Sequence, residues 1–330
     1  MVGSLTHPPE SECFVKSIET DSSEDAWKDE SERSEDDEGS LITRRVKFLD
    51  KEMSPKTEDF VRFRKSSPAS KSDGNNPEQT STRHVVLSKL QFLPYLGLTT
   101  GFVSIIVPYL LAVQRGDVPA WLPYISDAGG DPPQGALFSL GMCLIAVMFV
   151  IGIYLCYLIV EAQNHKDCKF VSWSGRFLVS AGFLMAVGLF GVATNPTGHL
   201  RRDGNWALPI LVPHLIGAAI FFGSGISMMA LLTFSTYLVQ RPNWVNRVFI
   251  SRSILMAGAL LGGMLVLVGL PPISSLDMMK PSPNHGRIYP PGTAVSAFGE
   301  WMIVVIFMFF VATFIPDFSR AKVTLVVDYN

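Results

Sequence analysis

Two ionisable side chains lie within apolar stretches of this sequence, where burying a charge in a membrane is costly and usually marks a function. His214 lies in the stretch that begins near Leu208, and Glu300 lies in the stretch that begins near Ala297. If the two met, an imidazole and a carboxylate would suit acid–base work or a metal site. The alternative is a polar clamp that fixes how two helices align, and the sequence leaves both interpretations open.

Catalytic machinery beyond this pair is not evident in the residue pattern. A catalytic zinc site uses three protein ligands, whereas the apolar stretches contain one histidine. The sequence also lacks a phosphate-binding glycine loop, a dinucleotide fingerprint and a serine-hydrolase elbow. We therefore expect no metal and no cofactor, and the pattern disfavours an enzyme.

The segment between the first two apolar stretches, residues 119–133, is rich in proline and glycine. Proline fixes the backbone angle φ and glycine frees it, so this loop is expected to have a defined shape. Asp127 and Asp131 lie within it. One interpretation has these carboxylates accept hydrogen bonds from neighbouring loops, and the other has them contact a cation or another ligand.

Six apolar segments must position these residues. A helix of about 20 mostly apolar residues spans a hydrocarbon core of about 30 Å. The predicted fold class is an all-α polytopic membrane protein, a six-helix transmembrane bundle with a disordered N-terminal tail. The predicted domains are a charged cytosolic tail (1–90), a membrane domain (91–318) and a short cytosolic C-terminal tail (319–330). The six spans are predicted at 93–113, 135–160, 177–193, 208–238, 249–270 and 297–315.

The orientation of the spans follows from the basic residues that flank them. Ten Lys and Arg lie in the short flanks on the side of the N-terminus, against five on the opposite side. Because short cytosolic loops carry the excess of Lys and Arg, both termini are predicted to be cytosolic. His214, Glu300 and the loop 119–133 then lie together on the outer side.

The first 90 residues hold 19 of the 29 acidic residues and 14 of the 27 Lys and Arg. Such a segment buries too little apolar surface to offset its ordering entropy, so we expect it to be disordered. Ser34 is followed directly by a run of acidic residues and fits an acid-directed kinase. Asp37, Leu41 and Ile42 have the spacing of an acidic dileucine sorting signal. The alternative for both patterns is an inert, solvated charge run.

Small residues spaced four apart allow two membrane helices to approach closely. We expect such pairs to form packing seams inside the bundle. The pairs are Gly97 with Gly101, Gly258 with Gly262 and, less clearly, Gly182 with Ala186.

The first loop, the start of the fourth span and the sixth span resemble the DRAM (damage-regulated autophagy modulator), FRAG and Sfk-like membrane proteins. The resemblance covers residues 91–327. His214, followed by Gly217 and Ala218, is similar to a family motif in the fourth span, and residues 296–318 are close to the DRAM branch. The residues that match the first-loop signature are Pro123, Tyr124, Ile125, Ser126, Asp127, Gly129, Pro132 and Pro133.

This resemblance implies a non-enzymatic multi-pass modulator of autophagy or lysosomal function in the endomembrane system, located in the lysosome or late endosome. Two other functions stay open. One is a lipid-remodelling, phosphoinositide or GPI-linked factor at the outer leaflet, in which Asp127, His214 and Glu300 line a polar pocket. The other is a scaffold that recruits cytosolic proteins through its tail. We expect membrane lipids and sorting adaptors as partners, and no nucleic acid.

Overall fold

The computed structural model describes residues 44–48, 61–65, 81–164, 169–200, 204–239, 247–280 and 287–329. In this part of the chain, six helices are long and apolar enough to cross a membrane. A short helix, α2 (Ile125–Ala128), and a 3-10 helix (Ile273–Met279) lie in the loops between them. The six spans are α1 (Phe92–Arg115), α3 (Gln134–Gln163), α4 (Lys169–Thr194), α5 (Leu208–Val239), α6 (Arg247–Val268) and α7 (Thr293–Ala312) continued by α8 (Ile315–Arg320).

The predicted six-helix bundle is confirmed, although most helices extend beyond the predicted spans. The largest difference is in α4, which begins at Lys169 instead of Phe177. Its first turns contain Lys169 and Arg176. A search for apolar windows excludes these charged residues, although both are good helix formers. Apolar side chains such as Phe102 and Leu267 are exposed on the outside of the bundle. This arrangement suits a protein surrounded by lipid.

Four strands form an antiparallel sheet in the order β1-β4-β3-β2. The strands are β1 (Arg44–Phe48), β2 (Val61–Lys65), β3 (Ser81–Leu87) and β4 (Ala321–Tyr329). The central strand β4 follows the last span, whereas its neighbours β1 and β3 precede the first. Sequence analysis did not anticipate this sheet, and the division of the chain at residues 90 and 318 stays a prediction.

The sheet lies at the end of the bundle where α1 begins and α8 ends. Ala321 and Val323 of β4 are buried in the same apolar core as Phe318 and Leu90. Because side chains alternate along a strand, these two residues belong to one face of the sheet, which packs on the helices. We call this the sheet end of the bundle. The opposite end is the loop end, which contains the described loop residues 116–133, 195–200 with 204–207, and 269–280 with 287–292.

Glycines bring several pairs of helices into close contact. A Cβ on Gly262 of α6 would lie 2.7 Å from Ile303 of α7, and a Cβ on Gly188 of α4 would lie 2.5 Å from a backbone nitrogen of α5. Gly97 and Gly101 of α1 differ, since an added Cβ would meet its neighbours at 3.9 and 3.5 Å. The expected seam at Gly258 and Gly262 is therefore present, whereas at Gly97 and Gly101 an added Cβ would fit at ordinary contact distances and no close helix contact is formed.

Candidate functional site

The first loop, at the loop end, has a compact and specific shape. It contains α2, and the peptide bond between Pro132 and Pro133 is cis. Gly129 and Gly130 allow close approach of other groups. An added Cβ would lie 2.4 Å from the ring of Phe138 at the first position and 2.5 Å from the Thr197 carbonyl oxygen at the second. Larger residues at either position would push the loop away from its neighbours.

Arg287 connects all three loops of the loop end. Its guanidinium pairs with Asp127 and lies 3.2 Å from a carboxylate oxygen of Asp131, both in the first loop. It also donates a hydrogen bond of 3.4 Å to the hydroxyl of Thr197 in the second loop. The Arg287 side chain is only 1% exposed. With Tyr289, which donates a 2.8 Å hydrogen bond to Asp127, these residues form what we call the Arg287 cluster.

Burial and charge act in opposite directions within the Arg287 cluster. Burial lowers the pKa of Arg287, but the facing carboxylates of Asp127 and Asp131 outweigh this effect and raise it. For Asp131 burial prevails over the pull of Arg287, so the pKa of its carboxyl is raised. Burial, reinforced by the negative charge of Asp127, raises the pKa of Tyr289, which therefore stays a hydrogen-bond donor. The cluster thus holds the loops together through a buried cation.

The sixth span attaches to the first loop through two neighbouring side chains. Glu300 accepts a 2.9 Å hydrogen bond from the backbone N–H of Ile125, at the start of α2. Trp301 donates a 2.8 Å hydrogen bond to the carbonyl of Pro123 and packs edge-on against Tyr109 of α1. The loop that carries the signature residues is therefore fixed by α7 as well as by Arg287.

His214 attaches the fifth helix to the loop that follows α4. Its Nδ1 lies 2.7 Å from the carbonyl oxygen of Asn195, and because a carbonyl only accepts, this nitrogen carries a proton. Sequence analysis placed His214, Glu300 and the first loop on one side of the membrane and left open whether the two side chains meet. Glu300 does reach the first loop, while His214 bonds to the second, so acid–base work by the pair stays a prediction.

His214 and Glu300 do share one feature, because both border a cavity inside the bundle. The cavity has a volume of about 180 Å³ and runs from Ser126 at the loop end to Phe318 at the sheet end. Its walls come mainly from α1, α3, α5 and α7 and are almost entirely apolar. The polar groups that border it near the loop end are those of Ser126, His214 and Glu300.

A second buried ion pair lies near the sheet end. Arg252 of α6 pairs with Asp317 of α8 at 2.8 Å and donates a 2.7 Å hydrogen bond to Thr236 of α5. It also bonds to Thr313, and its guanidinium lies 3.7 Å from the ring centre of Phe314. Arg252 and these ion-pair, hydrogen-bond and ring partners belong to the ends of α5, α6 and the sixth span, so the ion pair fixes how these spans meet.

Sequence analysis singled out much of this site and missed its central cation. The eight first-loop signature residues lie together at the loop end, as do His214 and Glu300. Arg287 was counted only as a charge flanking a span, and Tyr289 and Thr197 were not considered. The sequence contained only a weak indication of the role of Arg287, which is a basic residue in a loop. Its partners Asp127 and Asp131 lie 156 or more residues earlier in the chain.

The predicted modification and sorting residues lie outside the described residues. These are Ser34, Asp37, Leu41 and Ile42. Within the described ranges, no group of three or more His, Cys, Asp and Glu residues is placed to hold a metal ion.

Residues 89–321 match a family model described as the Frag1/DRAM/Sfk1/Cwh43P N-terminal domain. DNA damage-regulated autophagy modulator protein 1 of Mus musculus is 28% identical over 245 residues, which cover 74% of this chain and 97% of that protein. The Homo sapiens protein of the same name is 26% identical with the same coverage. DNA damage-regulated autophagy modulator protein 2 of Rattus norvegicus is 27% identical, over 73% of this chain and 87% of its own. No solved structure matches the chain.

Proposed function

The chain belongs to the Frag1/DRAM/Sfk1/Cwh43P family, and we propose that it modulates autophagy as a non-enzymatic multi-pass protein of the lysosome or late endosome. The observation that carries the proposal is its similarity to relatives named DNA damage-regulated autophagy modulators, which extends over 87–97% of their length. The family match contains all six spans and the loop end. The membrane domain is therefore the part that this chain has in common with those proteins.

A structural role for the loop-end charges supports a function without catalysis. Asp127 faces Arg287 and Tyr289, and Asp131 faces Arg287 as well. Glu300 accepts a hydrogen bond from the backbone N–H of Ile125, and His214 donates one to the backbone carbonyl of Asn195. Each of these groups thus has a hydrogen-bond or ion-pair partner within the protein.

The proposal is tested in cells that lack this protein. Expression of the tagged wild-type chain should place it on organelles that carry lysosomal or late-endosomal markers. It should also restore autophagic flux, measured as the lysosome-dependent turnover of a lipidated autophagosome marker. Residence in the Golgi or at the plasma membrane, or flux that does not depend on the protein, would contradict the proposal.

Sorting to this compartment is proposed to depend on the acidic dileucine pattern of the tail. Replacing Leu41 and Ile42 with Ala should move the protein toward the plasma membrane, because a sorting receptor would no longer bind. Replacing Leu5 and Ile18 with Ala makes the same chemical change elsewhere in the tail. Equal redistribution of both variants, or of neither, would rule out the signal.

Both termini are proposed to be cytosolic, in agreement with the distribution of Lys and Arg. In sealed lysosomes or late endosomes, a protease added from outside should then remove an epitope tag from either terminus. A tag placed in the loop 116–133 should resist digestion until the membrane is dissolved. Protection of the terminal tags would reverse the orientation.

A second candidate function, the handling of a lipid, is favoured by the apolar cavity that Glu300 and His214 border. Replacing either residue with Gln at an unchanged protein level should disable a lipid-processing site. The same variants should leave a tail-dependent scaffold working, whereas deletion of residues 1–88 should abolish it. A deletion that changes neither location nor flux would rule out the scaffold.

A further inference from the structure

We propose that the cavity binds one long-chain amine taken from the bilayer, with its alkyl chain between the helices and its ammonium group at Glu300. The proposal concerns a ligand site and does not depend on where the protein resides or on what it does for autophagy. The argument has three parts: the shape of the cavity, the side chains that line it and the charges at its loop end.

The shape of the cavity fits a single alkyl chain. Its lining extends along the sixth span from Glu300 to Phe318. At a rise of about 1.5 Å per residue, these 18 residues cover roughly 27 Å, which is close to the hydrocarbon thickness of about 30 Å. A volume of about 180 Å³ spread over such a length is narrow.

The lining is apolar and able to adapt to a chain. Met142, Met148 and Met308 border the cavity, and methionine side chains adjust easily to irregular partners. Gly97 and Gly101 keep one wall free of side chains, and the space that an added Cβ would enter is open to ordinary contact distances. Away from its polar loop end, a cavity of this kind offers few hydrogen bonds to water, so an apolar chain is the favoured occupant there.

The charges at the loop end favour a cation as the head group. Glu300 lines the cavity, and the residue as a whole is only partly buried. In the described part of the chain, none of the ion pairs involves Glu300, and Arg287 is already paired with Asp127 and Asp131. The carboxyl groups of Asp127, Asp131 and Glu300 therefore outnumber the guanidinium of Arg287. An ammonium group at Glu300 would offset this excess through a charge-assisted hydrogen bond.

Photolabelling of the full-length protein tests the site. The protein is reconstituted in phosphatidylcholine nanodiscs and exposed to an octadecylamine that carries a diazirine on its chain and an alkyne for detection. Unlabelled octadecylamine should abolish the labelling, whereas octadecanol and octadecanoate should not. The labelled residues, located by mass spectrometry, should be ones that line the cavity, such as Met148 or Phe307.

Two variants test the head-group and chain positions separately. Glu300→Gln should reduce labelling about tenfold or more, because a hydrogen bond to a charged group is lost. Its control is Glu161→Gln, which changes a carboxyl on α3 that does not line the cavity. Gly101→Leu should reduce labelling by filling the cavity. Gly223→Leu adds the same side chain where an added Cβ meets nothing within 4 Å.

Three results would overturn the proposal, and the first two need no variant that might misfold. Competition by octadecanol as strong as that by octadecylamine would show that the head group is not recognised as a cation. Labels confined to outward-facing residues such as Phe102 would show that the chain lies only at the lipid surface. Equal labelling of Glu300→Gln and the wild type, at equal melting temperatures, would remove Glu300 from the site.

Discussion

At the scale of single residues, Arg287 joins the loops of the loop end through its contacts with Asp127, Asp131 and Thr197. Removing it would leave Asp127 buried without its cation. We predict that Arg287→Gln lowers the free energy of unfolding by about 3–5 kcal/mol, the usual cost of breaking a buried ion pair. The measurement is denaturation of the detergent-solubilised protein, followed by tryptophan fluorescence.

The control for this variant is Arg115→Gln. Arg115 lies 3.1 Å from Asp117, but its side chain is 51% exposed. Solvent screens such a pair, so the loss should stay within about 1 kcal/mol. Equal losses for the two variants would show that Arg287 does not have the central role assigned to it.

The raised pKa of Asp131 makes a second residue-scale prediction, on pH. Because burial raises the folded-state pKa above the ordinary value of 3.8, the folded protein keeps this proton to a higher pH than the unfolded chain does. As the pH rises from 3.8 through the raised pKa, the contribution of Asp131 to the free energy of unfolding falls.

Asp131→Asn should therefore remove part of the decline in stability across this acidic range. The measurement is the difference in melting temperature between variant and wild type, taken at a series of pH values from below 3.8 upward. A difference that stays constant with pH would contradict the prediction. Asp277→Asn, in an exposed pair with Lys280, serves as the control.

The residues of the loop end were predictable only in part, and for a physical reason. Proline, glycine and aspartate prefer turn conformations, so their presence in the first loop predicts a loop with a defined shape. The residue that pairs with these aspartates could not be predicted in this way. Arg287 lies in another loop and contacts them only after all six helices have packed. Nothing in the local sequence distinguishes it from an ordinary flanking charge.

At the scale of helices, the glycine contacts determine which substitutions the bundle tolerates. Gly262 and Gly263 are neighbours on α6 but face different surroundings. An added Cβ lies 2.7 Å from Ile303 at Gly262, whereas its nearest neighbour at Gly263 is Ile226 at 3.4 Å. The two positions therefore offer a matched pair of substitutions.

We predict that Gly262→Ala destabilises the protein by about 1–3 kcal/mol because α6 and α7 must move apart. Gly263→Ala should be neutral or stabilising by up to about 1 kcal/mol, since alanine favours a helix more than glycine does. Melting temperatures in one detergent provide the comparison. A lower stability for the Gly263 variant than for the Gly262 variant would contradict the contact geometry.

The sheet-end ion pair gives a prediction of its own. Arg252→Met should lower the free energy of unfolding by about 3–5 kcal/mol, because Asp317 loses its buried partner. The double variant Arg252→Met, Asp317→Leu should recover part of that loss by removing the unpaired charge as well. A double variant less stable than Arg252→Met would show that Asp317 is needed independently of Arg252.

Helices and sheet differ in how far the sequence predicts them. Each span is a local run of apolar residues, so length and hydropathy identify it. The glycine spacing identified the seam at Gly262 but also suggested one at Gly97 and Gly101, where the structure has a cavity instead. Spacing defines a face of a helix, whereas the neighbouring helix decides whether that face is covered.

At the scale of the whole molecule, the sheet joins the segments of the chain that precede the first span and follow the last. Its central strand β4 pairs with β1 on one side and β3 on the other. Such pairing joins residues that are distant along the chain, so no local pattern predicts it. The charged composition around β1 and β2 instead predicted disorder. The six spans could be predicted from the sequence, but the pairing of β4 with β1 and β3 could not.

Removal of β4 should open the sheet while the helices remain. We predict that a chain ending at Arg320 is cleaved by a soluble protease between residues 44 and 87 much faster than the full-length chain. The reason is that β1 and β3 lose the strand between them and expose unpaired backbone groups. Far-UV circular dichroism should show that the helical content is retained. Equal cleavage rates would contradict the pairing of β4 with both neighbours.

The position of β4 in the chain also has a consequence for biosynthesis. All six spans separate β3 from β4, roughly 230 residues that take on the order of 10–50 s to translate at about 5–20 residues per second. During this interval the nascent chain displays β1 and the β2–β3 hairpin without the strand that joins them. If a ribosome stalls while it translates the spans, the backbone groups of β1 and β3 that pair with β4 remain without their hydrogen-bond partners. Quality-control factors could thereby distinguish an unfinished chain from a finished one.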